Sequence, residues 1–469
     1  VGAGPETVDG IITRTALLRD LGEREGEPAA SLPVSGERGA EGEDLSGMLA
    51  RRLPEDHLAL LRTVGEVAAE LESAAYLVGG VVRDLILRRP IRDLDVVIEG
   101  DAGRLAGVVG ERLDAEVHVH DAFQTAAVFA GEGRRLDIAT ARTEHYVSPA
   151  ALPEVVPGVL RQDLFRRDFT INTLAIRLTP PGFGRLLDHF HGRRDLQAGK
   201  IRVLHGLSFI EDPTRAYRAI RFAIRLGFEI SRETAHLMRV AVREGVFERL
   251  SPERLRREVQ HILTEKRLVR AVHLLHDYDL LKVLHPALRP TRTTYTRLER
   301  AEEALGWYRL LYRDDEIGPW VVALGVLAEK LDEPSREKLL GRLRPGRRAA
   351  TLLREAPERI HHVIGRLARR RTLRPSRIHG VCHEHPTEAL LLAMSVTGRE
   401  EVRRSISLYL SRLRDVRPDI DGKDLLRAGV AEGPAIARAI EAALAAKLDG
   451  KAPGKQDQLA VALEKAGVA

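Results

Sequence analysis

The residues best equipped for chemistry stand close together. They are Leu77-Val78-Gly79-Gly80-Val81-Val82-Arg83-Asp84-Leu85 and, just beyond, Arg92-Asp93-Leu94-Asp95-Val96-Val97. A strand over Ala75-Tyr76-Leu77-Val78 delivers the chain to Gly79-Gly80, where missing side chains let backbone N–H groups approach a ligand. The helix that follows adds the positive end of its dipole, a favourable seat for phosphate, with Arg83 one turn in. Asp93 and Asp95 are two apart on an expected strand, so both carboxylates face one side. Two hard oxygen anions side by side suit Mg²⁺, which takes carboxylates together with substrate phosphates. A phosphate cradle feeding a divalent-metal pair is the minimal equipment for phosphoryl or nucleotidyl transfer. Gly79-Gly80 alone would read as a tight turn, and the two acids alone as a solvated strand edge. Their combination favours chemistry.

These residues need a scaffold, and the chain is long enough to build one. Its 469 residues are 44% hydrophobic and 30% charged, the composition of a globular protein of several domains. The net charge of +6 is compatible with a polyanionic partner without requiring one. A single cysteine, Cys382, excludes an intrachain disulfide framework and a Cys-based zinc finger. No apolar run approaches membrane-spanning length and no secretory signal opens the chain, so the expectation is a soluble, cytoplasmic protein with no membrane partner. The chain begins with Val rather than Met and so reads as a piece of something longer.

Composition divides the sequence into segments. Residues 1–21 carry one short strand and one short helix, too little to fold alone. Residues 22–53, rich in Gly, Glu, Ser and Pro over most of their length, read as a flexible linker. Residues 54–205 mix helical spacing (Leu58, Leu61, Val64, Val67-Ala68) with strand signals. Those signals fall at Ala75 to Val78, Leu94 to Ile98, Val117 to Val119, Ala126 to Phe129 and Leu136 to Ala139. From 206 onward helical spacing dominates, divided here into a neck (206–270) and a body with tail (271–469). The expected fold is an α/β head with a mixed sheet, followed by an all-helical body.

At this point a resemblance can be stated. GGVVRD with the downstream DLD resembles the signature of class II tRNA nucleotidyltransferases and bacterial poly(A) polymerases. Further segments resemble the remaining motifs of that family, in order. Arg166-Arg167-Asp168-Phe169-Thr170-Ile171-Asn172 is similar to its RRDFTIN motif. Leu187-Asp188 through Asp195-Leu196 is similar to its hinge, and Glu211-Asp212-Pro213-Thr214-Arg215 to its nucleotide-selecting EDxxR. The segment from Ser251 to Arg254 is similar to the helix after it. The resemblance implies a template-independent enzyme that extends tRNA 3′ ends. Mg²⁺ on Asp93 and Asp95 would assist in-line attack, and Gly79, Gly80 and Arg83 would hold the triphosphate and ribose. The segment from Thr140 to Val155, with Pro149, Pro153 and Pro157 in or beside it, reads as a mobile loop from its own residues. That loop's wording, HYVSPAALPEV then RQDLFRRD, is most similar to the branch that adds only the terminal A. A separate CC-adding enzyme would then act first. Residues 1–21 resemble the end of a CBS domain, which some A-adding relatives carry ahead of the head.

The selecting segment can also be argued from its residues. If Glu211–Arg225 is helical, Asp212 and Arg215 share one face. A carboxylate only accepts hydrogen bonds and a guanidinium only donates. Cytosine and adenine each offer an amino donor beside an unprotonated ring acceptor, whereas guanine and uracil offer the reverse. An Asp/Arg pair therefore welcomes C and A, and an unmet buried group would cost G or U roughly 1–3 kcal/mol. The bland reading is an ordinary surface ion pair. Arg218, Arg221 and Arg167 could grip a triphosphate by forked hydrogen bonds. Asp168 reads as a local anchor. Asp137 reads either as a third carboxylate assisting deprotonation of the 3′-hydroxyl or as the structural partner of an arginine.

Other features carry less. Arg342 to Arg348 and Arg366 to Arg371 could meet an RNA backbone, but charge runs are usually solvated faces. Asp421-Gly422-Lys423-Asp424 and Gly433-Pro434 resemble the family's RNA-holding tail, with turn amides for phosphate, or form a plain helical hairpin. His383-Glu384-His385 beside Cys382 has the wrong spacing for a two-histidine helical motif, and Pro386 breaks the helix, so it reads as structural, as does His276-Asp277. The partners implied are the tRNA 3′ acceptor end and ATP or CTP. The rival readings are a poly(A) polymerase and a non-catalytic nucleotide- or RNA-binding module.

Overall fold

A computed structural model describes residues 42–91, 93–131, 135–145, 154–368 and 373–468. The CBS-like segment 1–21 and the linker as far as residue 41 lie outside the described residues. The chain divides into two compact units. The first holds the described residues up to Pro213 together with Glu229–Leu237, and the second holds Thr214–Phe228 with Met238 onward.

The end of the expected linker is folded. Asp44 bridges antiparallel to Arg185, and α1 (Ser46–Arg52) follows at once. Leu45, Leu49 and Leu53 are buried. Burial of three leucines, at roughly 1.5–3 kcal/mol each, offsets part of the cost of ordering so short a segment. Helix α2 (Glu55–Glu70) buries Leu60, Leu61, Val64, Val67 and Ala68, the helical stripe visible in the sequence.

The head is one mixed sheet of seven strands among the described residues. Its strands are β1 (Ala74–Val78), β2 (Leu94–Glu99), β3 (Glu116–His120), β4 (Thr125–Phe129), β5 (Arg135–Thr140), β8 (Ala175–Arg177) and β9 (Leu186–Leu187), in the order β3-β4-β5-β2-β1-β8-β9. Helix α3 (Gly80–Ile86) follows β1 directly, and α4 (Ala102–Leu113) lies between β2 and β3. Within this sheet only the β2–β5 pair is parallel, and it sets Asp95 opposite Asp137. All five strands expected from the sequence are present. The last two, very short, carry too few residues for alternation to show.

The loop expected to be mobile has paired ends. Strands β6 (Arg142–His145) and β7 (Glu154–Pro157) form an antiparallel ladder, and the middle of the loop lies outside the described residues. Helix α5 (Leu160–Phe165) then returns across the sheet. Its Leu160 and Leu164 pack with Tyr76, Val78, Val97 and Ala175. Val97 lies two residues beyond Asp95 on β2, so α5 covers the same face that Asp95 occupies.

The second unit is helical among its described residues. Helix α7 (Thr214–Leu226) follows α6 (Ser208–Glu211) of the first unit after a break, and buries Tyr217 completely. The Tyr217 hydroxyl donates to the Leu280 carbonyl at 3.2 Å, and its ring meets Phe247 edge-on. The expected neck and body thus share one core. Further on come α8 (Pro252–Leu263), α9 (Arg347–Leu367), α10 (Pro375–Cys382) and α11 (Thr387–Val396). The tail adds α12 (Gly422–Arg427), α13 (Pro434–Leu448) and α14 (Lys455–Ala466), built round Ile420, Leu425, Val430, Ala439, Ala443 and Ala462. No helix among the described residues is long and apolar enough to cross a membrane.

Candidate active site

Gly79 occupies φ +75°, ψ −129°, a region open essentially to glycine alone. A Cβ built there would stand 2.7 Å from Nη1 of Arg167. The backbone conformation therefore requires glycine at 79, and any side chain there would also have to displace the Arg167 guanidinium. Gly80, the first residue of α3, has ordinary dihedrals and meets only Arg83 Nη2, at 3.5 Å.

Three carboxylates gather near the starts of the adjacent central strands β2 and β5. Asp93 is exposed and immediately precedes β2, so it leads into the strand that was expected to include it. Asp95, half-buried, is the second residue of β2 and stands beside Asp137 across the parallel pair. Burial, then the Asp137 carboxylate, push Asp95 above the usual carboxylate range; Arg167 opposes this and Asp93 adds to it. Asp137 accepts from Arg135 Nε at 3.0 Å and Nη2 at 2.8 Å.

Behind the acids runs a network of arginines. Asp163, on α5 and fully buried, accepts from Arg166 at 2.6 and 3.0 Å and from Arg167 Nη2 at 3.0 Å. Arg166 also donates to Glu144 on β6 at 2.7 Å. The Arg167 Nε is buried without a hydrogen-bond partner. Arg83, only 9% exposed, forks onto Asp84 with two bonds of 2.9 Å and donates to Asn172 Oδ1 at 2.7 Å. Asn172 in turn donates to Asp168 Oδ1, which also takes the Phe169 amide. Asp168 is thus a buried anchor, and Arg83 belongs to the same internal network.

The condition attached to the selecting segment is not met. Asp212 closes α6 in extended backbone (φ −134°, ψ 95°) and α7 begins only at Thr214. The residue before a proline is pushed out of the helical region, and Pro213 does this to Asp212. Arg215 is buried on α7. On the same helix Arg218 lies over the Phe222 ring at 5.7 Å. Arg221 sits 3.7 Å from Glu258 of α8, and both Arg221 Nε and Glu258 Oε2 are buried without hydrogen-bond partners.

Some expected RNA contacts are occupied internally. Arg342 donates to the Leu250 and Phe247 carbonyls, and Arg348 pairs with Glu388 at 2.8 Å. In the tail, the Lys423 and Asp424 amides are already taken by the Asp421 carboxylate, which caps α12.

Residues 75–202 match the family described as Poly A polymerase head domain, and residues 227–291 that described as Probable RNA and SrmB- binding site of polymerase A. An A-adding tRNA nucleotidyltransferase of Halalkalibacterium halodurans is 32% identical, over 90% of this chain and 96% of that protein. The chain belongs to the tRNA nucleotidyltransferase family.

Another family member, the A-adding tRNA nucleotidyltransferase of Geobacter sulfurreducens, is 38% identical over 98% of this chain. The alignment covers 53% of that relative, so the chain spans about half its length. The Thermotoga maritima CCA-adding enzyme complexed with tRNA superposes with a TM-score of 0.75 and 32% identity, over 90% of this chain and 98% of that one. Nucleotidyltransferases of this family generally use a divalent metal. The donors here fit such an ion: hard carboxylate oxygens held close enough to raise Asp95.

Asp163, Glu144, Arg166 and Asn172 complete the hydrogen-bond network behind the carboxylates, and the sequence gives them no separate role. Asp163 was legible, because acids three and four residues ahead of arginines on a helix share a face with them. Glu144 was not, since only the β6–β7 ladder brings it to Arg166.

Proposed function

We propose that this tRNA nucleotidyltransferase adds the terminal A, or CCA, to tRNA 3′ ends from ATP or CTP, without a nucleic-acid template. The observation that carries this reading is the pairing of Asp95 with Asp137 across β2 and β5, with Arg167 beside Asp95 and against the Gly79 turn. Asp93 and Asp95 would hold Mg²⁺, which when bound neutralises phosphate charge and makes the 3′-hydroxyl more acidic. The 3′ oxygen attacks the α-phosphorus, the bond to the bridging oxygen breaks, and pyrophosphate leaves in line.

The chain's own residues do the rest. Gly79 lets the backbone approach the triphosphate, and Arg167, steadied by Asp163, keeps a donor directed at it. Arg83 acts from its buried network to fix the turn that carries Gly79 and Gly80. Arg218 and Arg221 lend further charge. Asp137, in register with Asp95, is the third carboxylate, receiving the hydroxyl proton when Arg135 yields. Asp212 and Arg215, set on either side of the Pro213 break rather than on one helix face, are the pair assigned to the base edge, the carboxylate accepting from the amino group and the guanidinium donating to the ring nitrogen. The second unit holds the acceptor end by phosphate and shape. Two similar relatives are A-adding enzymes, which supports the terminal A as the product and a separate CC-adding enzyme acting earlier.

The test uses three tRNA transcripts ending before CCA, after C and after CC, each offered ATP or CTP singly with Mg²⁺. A single A on the CC-ended transcript alone is expected. Incorporation of C on the shorter ends makes the enzyme CCA- or CC-adding. A long A ladder replaces the reading with a poly(A) polymerase, and no product with any pairing overturns it.

A further inference from the structure

The second unit contains a set of ligating side chains that sequence spacing concealed. Among the described residues, His362, Glu384 and His385 each direct one ligand atom into a common space, all within 4.8 Å of one another. His362 lies on α9, whereas Glu384 and His385 belong to the connection between α10 and α11. Twenty-one residues of chain separate His362 from Glu384, so no local motif could reveal them. Both histidines are half-buried and Glu384 is exposed.

The hydrogen bonds fix the protonation of the pair. Arg359 Nη1 lies 3.3 Å from His385 Nδ1, and a guanidinium can only donate. His385 Nδ1 is therefore the acceptor and its proton resides on Nε2. That Nε2–H faces His362 Nδ1 at 3.0 Å, so His362 accepts there. Two nitrogens bound to one tetrahedral ion at ~2.0–2.1 Å stand about 3.3 Å apart. The two imidazoles are thus within a few tenths of an ångström of the spacing one ion requires. The Glu384 side chain, free to rotate at the surface, can close the third position.

We propose that His362, Glu384 and His385 bind a late first-row divalent cation, Zn²⁺ foremost, in a site open to solvent on its fourth side. Imidazole nitrogen with one carboxylate selects Zn²⁺, Ni²⁺ or Cu²⁺ over Mg²⁺, whereas the head's all-carboxylate donors select the reverse. On binding, the ion takes the place of the hydrogen between the two rings. The His385 proton moves from Nε2 to Nδ1, so the ring stays neutral and no proton is lost from it. Nδ1–H then faces the Arg359 donor, and Arg359 must withdraw toward Glu355, which already holds its Nε and Nη2 at 2.9 and 2.6 Å. Arg359 thus opposes the metal, and the bound ion ties α9 to the α10–α11 connection.

This makes a prediction of opposite signs. The full chain is titrated with Zn²⁺ against a chromophoric chelator in millimolar Mg²⁺, and with Co²⁺ while the visible spectrum is followed. One tight equivalent is expected, with an intense low-symmetry Co²⁺ spectrum. His362→Gln and His385→Ala should each weaken Zn²⁺ binding by about tenfold or more, and Glu384→Gln by less. Arg359→Ala should tighten it. His383→Ala is a control, since that ring turns toward the Gly380 carbonyl at 3.1 Å. Asp95→Asn should keep full Zn²⁺ affinity, which separates this site from the head. Melting in chelator shows whether each variant is folded; should His385→Ala fail, His362→Gln and Arg359→Ala still decide. Unchanged affinity in His362→Gln, weakened binding in Arg359→Ala, or a six-coordinate aquo spectrum would each overturn the site.

Discussion

Two partly buried aspartates, one in each unit, show how differently the same side chain can be used. In the head, Asp95 has Asp137 beside it and Asp93 nearby, with Arg167 the chief opposing charge, and it is pushed above the usual carboxylate range. In the body, burial pushes Asp315 upward too, but the Tyr308 hydroxyl at 2.7 Å and Arg414 at 2.9 Å hold it below that range. Thr387 adds a third donor. Asp315 is a satisfied acceptor that fixes one helix against others. Asp95 is a carboxylate crowded by like charge, an arrangement suited to holding a cation. Crowded like charges therefore mark the reactive end of the chain, and matched ones mark its scaffold.

This contrast can be tested in order of effect. Alanine at Asp93 or Asp95 should lower nucleotide incorporation by about a thousandfold or more while the protein stays folded, measured by single-turnover extension of a CC-ended tRNA. Near wild-type incorporation would break the comparison at its centre. Asp163→Asn should cost roughly 10–100-fold, because Arg167 loses the carboxylate that positions it. The loss should fall on kcat/KM for ATP and leave the KM for tRNA in place; a loss shared equally with tRNA binding would make Asp163 a general structural residue.

Asp315→Asn should do the opposite, destabilising the body by about 1–2 kcal/mol with little effect on turnover below the melting transition. Because the Asp315 pKa is lowered in the folded state, its ionised form stabilises above the ordinary carboxylate range. That contribution disappears as pH falls through the lowered value. Melting curves at neutral and acidic pH should therefore diverge and then converge. Asp95→Asn should give the smallest effect and the reverse sign. A raised carboxylate pKa lowers stability as pH rises through the ordinary range, so the variant should melt slightly higher than wild type at neutral pH without divalent metal. The advantage should vanish in acid, and Mg²⁺ should erase it by stabilising the wild type alone. Equal Mg²⁺ shifts in both proteins would show that Asp95 does not hold the ion.

Much of the head was legible because its signals are local. Ala74–Val78 and Leu94–Glu99 read as strands from their apolar β-branched and aromatic residues, and Gly79-Gly80 marked the turn between β1 and α3. The RRDFTIN segment was legible through its resemblance to the family motif, and Asp168 reads as an anchor beside Arg167. The selecting segment is read as one helix only as a condition on Asp212 and Arg215 sharing a face. The break there is also local, since Pro213 forces it. Residues 42–53 were read as linker from glycine and glutamate, although their three leucines bury against the head.

The sequence by itself determined which residues could do chemistry and in what order they arrive. It determined the glycine turn, the acids of β2, the arginines after α5, and a helical body without cysteine chemistry. Tertiary structure alone decided which of them meet. A parallel pairing between strands forty residues apart set Asp95 against Asp137, and a hairpin carried Glu144 to Arg166. A helix packed on a distant turn put His362 beside His385. Periodicity fixes the face a side chain occupies within its own element, but register and packing between elements are set by burial over the whole chain. No spacing rule contains that information.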